Sequence, residues 1–147
     1  MIPTPIKYRS KPATAVFDLL NPIPFGLFVG TLIFDLIYAT NADVLWAKGA
    51  AWLVTIGLLF AMIPRLINLG HVWFGPAGCV GRNEKIDFWL NLLAILIAIA
   101  NAFIHSRDAY GIVPLNVILS ILTVLSISLG QIVLAVHKVR FEGNIRE

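Results

Sequence analysis

The sequence predicts an all-α membrane protein: four transmembrane helices in an up-down-up-down bundle with both termini cytoplasmic. Three observations carry that expectation. Hydrophobic residues make up 59% of the 147 residues and charged ones 13%, with a mean hydropathy of +0.86, whereas soluble domains are roughly 45–50% apolar and about 25% charged. Four apolar runs reach the length of about 20 helical residues that a hydrocarbon layer requires. If those runs alternate in direction, nine of the eleven Lys and Arg residues gather on one side, the asymmetry that marks cytoplasmic loops.

Residues 1–21 read as a cytoplasmic tail followed by an interfacial segment. Pro3 and Pro5 hold the start extended. Thr14 to Leu20 has the pattern of a short helix lying at the membrane surface, with Val16, Phe17, Leu19 and Leu20 turned toward lipid. Lys7, Arg9 and Lys11 before an apolar run resemble the start of a signal peptide, but the run is long and no small-x-small cleavage site follows, so retention is expected.

Residues 22–137 read as one four-helix domain. Its first span, 22–40, tolerates Pro22 and Pro24 because the first N–H groups of a helix lack intrahelical partners. Gly26 and Gly30 form a G-x-x-x-G pair in it, which bares backbone for close packing of another helix. The connection 41–45 is short enough to force an antiparallel hairpin. The second span, 46–69, carries Pro64 late, where a missing N–H can kink a helix. After a glycine-rich loop the third span, 86–105, repeats Ala94, Ala98 and Ala102 at intervals of four, a second narrow packing face. The fourth span is 112–136, with Ser126 and Gly130 as its small residues, and 138–147 is a charged cytoplasmic tail.

Lys7, Arg9, Lys11, Arg65, Arg82, Lys85, Lys138, Arg140 and Arg146 fall on one side, and only Lys48 and Arg107 on the other. Trp73 and Trp89 then mark the cytoplasmic boundary, and Tyr38, Trp46 and Tyr110 the outer one. The basic residues flank spans rather than forming a patch, so the net charge of +3 points to membrane topology and not to nucleic acid.

The intramembrane charges are Asp35, Arg65 and Asp87. Antiparallel neighbours place Arg65 near Asp87 as an ion pair, and set Lys48 where its long stem can bend back to Asp35. Asn91, Asn101, Asn116 and Gln131 are suited to interhelical hydrogen bonds. A b-type haem needs axial ligands on facing helices; His71 and His137 are the candidates, both at span ends, while His105 lies at the opposite face. Cys79 is the single cysteine, which excludes an internal disulfide. No Ser-His-Asp triad, H-E-x-x-H motif or glycine-rich phosphate loop is present, so neither a catalytic site nor a metal site is expected.

The stretches PIPFGLFVGTLIFDL, LWAKGAAWLVTIGLLFAMIPRLINL, FWLNLLAILIAIANAFIHSRDAYG and LGQIVLAVHKV, in that order, cover most of the chain from Pro22 onward. Their pattern resembles a bacterial family of predicted four-helix membrane proteins, domain of unknown function 2231. That family usually shows a histidine-proline pair before the first helix and a histidine opening the third. Here those positions hold Phe17 with Asp18, and Asp87, and only His137 matches a family histidine. Some relatives are similar to partners of haem and iron–sulfur electron-transfer domains, so the resemblance implies a respiratory or photosynthetic setting.

The leading expectation is therefore a small, non-enzymatic accessory subunit of the bacterial inner membrane. It would touch lipids and pack against a larger electron-transfer complex or further copies of itself, with bound lipid and no cofactor of its own. The alternatives are a haem- or quinone-binding electron carrier and a small transporter or channel subunit using Asp35.

Overall fold

The computed structural model describes residues 11–74, 82–107 and 111–146. They form α1 (Lys11–Leu20), α2 (Pro22–Asn41), α3 (Val44–Phe74), α4 (Arg82–His105) and α5 (Leu115–Arg146). Four stretches are long and apolar enough to cross a membrane: Pro22–Asn41, Val44–Ile67, Lys85–His105 and Leu115–Val136. The amphipathic α1 precedes them, with Val16 and Leu19 exposed, and packs on α2 and α3.

The connection between α2 and α3 is two residues long, and local hydrogen bonds set it. Ala42 adopts the left-handed conformation (φ 54°, ψ 20°) and its N–H donates to the Tyr38 carbonyl, closing α2. Asp43 then caps α3, its Oδ1 accepting from the Leu45 N–H at 2.9 Å, the bond that satisfies an otherwise orphaned first-turn donor. Pro64 lies inside α3, which continues past it. The fourth spanning helix begins at Leu115 rather than at Ile112. Val113 precedes Pro114, a position that disfavours helical backbone, and Ile112 is instead buried against Tyr38 and Ala47.

Buried positions recur at alternating steps of three and four. On α2 they are Pro24, Phe28, Thr31, Asp35 and Tyr38. On α3 they are Ala47, Ala50, Val54, Gly57, Ala61 and Pro64. On α4 the stripe is Asp87, Asn91, Ala94, Ala98 and Asn101, and on α5 Asn116, Ser120, Thr123, Ile127 and Gly130. A mean spacing of 3.5 residues keeps one seam of each helix facing its neighbours, as in a left-handed bundle. The outward faces carry large apolar side chains such as Trp52, Leu59, Leu66 and Phe103. Tyr38 is among the buried residues and so does not belong to an outer aromatic belt; its place on the α2 stripe turns it inward.

Contacts along α2 and α3 run in opposite order. A Cβ on Gly57 would lie 2.9 Å from the Phe28 ring, one on Gly30 3.2 Å from Leu53 Cδ1, and one on Gly49 2.7 Å from the Phe34 ring. Phe34 also meets Trp46 edge to face, with centroids 5.0 Å apart. The close approach of this pair thus rests on Gly49 and Gly57. Gly26 takes no part in it, since a Cβ there would meet nothing within 4 Å among the described residues; it is exposed on α2. Ala94 and Ala98 are fully buried in the central cluster with Phe28, Val54, Ala61 and Ile127, and Ala102 packs at its edge.

The interior is therefore layered along its axis. A polar layer around Asp35 lies at the end where α2 and α4 finish, the apolar cluster around Phe28 fills the middle, and Asp87 and Asn91 lie at the other end.

Candidate functional site

Asp35 has no exposed surface. It lies six residues, or about 9 Å at 1.5 Å per residue, from the end of α2. The buried stripe of α2 aims it at α4 and α5. Asn116 Nδ2 donates to its Oδ1 at 3.0 Å, and Ser120 Oγ donates to its Oδ2 at 2.5 Å. Asn101 Nδ2 in turn donates to Ser120 Oγ at 2.7 Å. From the last residue of α4, His105 brings Nε2 to 3.1 Å from Asp35 Oδ1, its side chain 1% exposed. That distance is within ion-pair range for a protonated imidazole, and the geometry is not that of a hydrogen bond. The single carboxylate thus ties three helices together with groups that lipid would not solvate.

Lys48 is not Asp35's partner. Ala47 and Ala50 occupy the seam of α3, and Lys48, one step off it, is exposed. The acid is satisfied from α4 and α5 instead.

At the opposite end, Asn91 Nδ2 donates to Asp87 Oδ1 at 2.7 Å and to the Asp87 carbonyl at 2.8 Å. A Cβ on Gly130 would lie 2.7 Å from Asp87 Oδ1, so the absence of a side chain there lets α5 approach this carboxylate closely. Arg65 Nη2 donates to Asn21 Oδ1 at 2.8 Å, fastening the turn between α1 and α2 onto α3. Arg65 also borders an apolar groove of about 300 Å³ between α3 and α4, with Met62, Leu66, Phe88 and Trp89 among its walls.

The side chains of His71 and His137, the expected haem candidates, lie outside the described residues. Among the described residues no three His, Cys, Asp or Glu side chains come together as a metal site. His105 was the unforeseen member of the polar centre. The α4 stripe of Asp87, Asn91, Ala94, Ala98 and Asn101 steps onto it after four more residues, so the spacing held the signal.

The family model described as "Predicted membrane protein (DUF2231)" matches residues 18–142. No curated protein and no solved structure matches the chain.

Proposed function

Since the chain belongs to the DUF2231 family of predicted membrane proteins, we propose that it is a small accessory subunit of the bacterial inner membrane, packed against a larger electron-transfer complex. In this reading the bundle is up-down-up-down with both termini cytoplasmic. The opposite order of contacts along α2 and α3 supports the alternation, and the nine basic residues on one side support the orientation. The subunit runs no reaction of its own and carries lipid rather than a redox group.

The observation that carries this reading is the bare face of α2 at Gly26. Among the described residues it meets no other helix, and small residues in spans serve close helix–helix approach. A helix of a larger assembly is the occupant it fits. The test is mass spectrometry of what co-purifies in stoichiometric amount with the tagged protein from native membranes in mild detergent. Redox-complex subunits recovered with the wild type and lost with Gly26→Leu support the proposal. Recovery of this chain alone removes it.

A second reading, a small transporter or channel subunit, draws on the Asp35–His105 pair, because ionisable groups at membrane depth commonly mark ion paths. Flux through liposomes containing only this protein separates the two.

A further inference from the structure

The centre around Asp35 contains more polar atoms than it pairs. Asn101 Oδ1, Asn116 Oδ1 and both ring nitrogens of His105 are buried and make no hydrogen bond among the described residues. Each amide nitrogen already has its acceptor, Asn101 on Ser120 and Asn116 on Asp35. The two amide oxygens therefore remain acceptors that need a donor. Buried polar groups in folded proteins are nearly always satisfied, and those unpaired by protein are the usual seats of ordered water, which makes two to four such bonds.

We propose that this centre is a binding site for water, and that the bound water exchanges a proton with the Asp35–His105 pair from the end of the bundle where α4 finishes. Two considerations favour water over a metal cation. The unpaired set mixes two acceptors with an imidazole, which either donates or accepts, and a protonated His105 3.1 Å from the carboxylate would repel a cation there. The proton has two resting places. On His105 it leaves an imidazolium–carboxylate pair; on Asp35 it leaves a neutral imidazole and a carboxylic acid. Transfer from one to the other changes no other bond.

Access is one-sided. His105 is the last residue of α4 and is followed by exposed Ser106 and Arg107, whereas toward the middle of the membrane the seam turns apolar at Ala98, Phe28 and Ile127. Among the described residues the surrounding elements contribute few other charges. Tyr38 lies one turn beyond Asp35 on α2, α5 presents neutral Asn116 and Ser120, and α3 presents Ala47 and Ala50 with Lys48 turned outward. This inference does not depend on what the bundle packs against.

The test is infrared difference spectroscopy of the full-length protein in lipid vesicles, stepped in pH and repeated in heavy-oxygen water. The expected result is an O–H band of an isolated water that shifts with oxygen-18 and disappears in Asn101→Leu. A carboxylic C=O band that responds to pH and is absent from Asp35→Asn is expected with it. The wild-type spectra decide the matter even if a variant fails to fold. Absence of an oxygen-18-sensitive band, or of any pH-linked carboxylic band, overturns the proposal and leaves the centre a dry structural clasp. A water band unchanged in Asn101→Leu places the water elsewhere and overturns it equally.

Discussion

His105 Nε2 lies 3.1 Å from Asp35 Oδ1, so the last residue of one spanning helix is held by a carboxylate two turns inside another. Either group alone would be expensive in this interior, and removing one partner of a buried pair leaves the other uncompensated, a loss of about 3–5 kcal/mol. Asp35→Leu is expected to destabilise the bundle by that amount in thermal unfolding in mild detergent. Asp35→Asn, which keeps an acceptor for Asn116 and Ser120, loses less. Equal stability of Asp35→Leu and wild type would show that the pair holds nothing together.

The α2–α3 contact sets a second expectation. At Gly57 a Cβ would lie 2.9 Å from the Phe28 ring and 3.3 Å from Leu27 Cβ, with Phe28 itself buried. Gly57→Ala should lower stability by about 1–3 kcal/mol, the usual penalty of overpacking. Gly26→Ala, with open space around it, should leave folding unchanged. The two variants measured side by side distinguish a seam glycine from an outward one.

At the other end of the bundle, Gly130 and Asp87 are expected to be energetically coupled. The added methyl of Gly130→Ala would sit 2.7 Å from Asp87 Oδ1 and 3.2 Å from Asn91 Nδ2. A double-mutant cycle with Asp87→Asn should return an interaction of more than about 0.5 kcal/mol, the level above which neighbouring sites fail to add. Additive losses would mean the carboxylate swings away without effect.

Topology gives a further check. A reporter inserted at Asn41 is expected to be external and one fused after Glu147 cytoplasmic, in keeping with the charge asymmetry of the chain. A cytoplasmic signal at Asn41 would reverse the orientation and with it the side from which the Asp35 centre is reached.

Much of this architecture is legible in the residue order, because length and hydropathy define a span with little help from tertiary contacts. Ala94 and Ala98 could be read as a packing face because small residues at a spacing of four lie on one side of a helix. The partner of Asp35 could not be read from proximity along the chain. Lys48 is its near neighbour across the hairpin, yet it lies one position off the α3 seam, and one position on a helix is a rotation of about 100°. His105 looked like a boundary residue because it ends its span. Only the whole stripe from Asp87 through Asn101 shows that it faces inward. Of the G-x-x-x-G pair, Gly30 faces Leu53 on α3 while Gly26 does not face that helix, and Gly49 and Gly57 on the facing helix are what make room for Phe34 and Phe28.

The apolar cluster in the middle of the bundle has a consequence for the cell that houses it. A membrane that stores energy as a voltage behaves as a capacitor, and any continuous file of polar groups through it is a short circuit. This chain places ionisable groups at both ends of its interior, with Phe28, Val54, Ala94, Ala98 and Ile127 between them. Even the hydroxyls nearest that cluster are turned aside, Thr31 to the Leu27 carbonyl and Thr123 to the Leu119 carbonyl on their own helices. The bundle can hold charge near each face while remaining a dielectric across its centre.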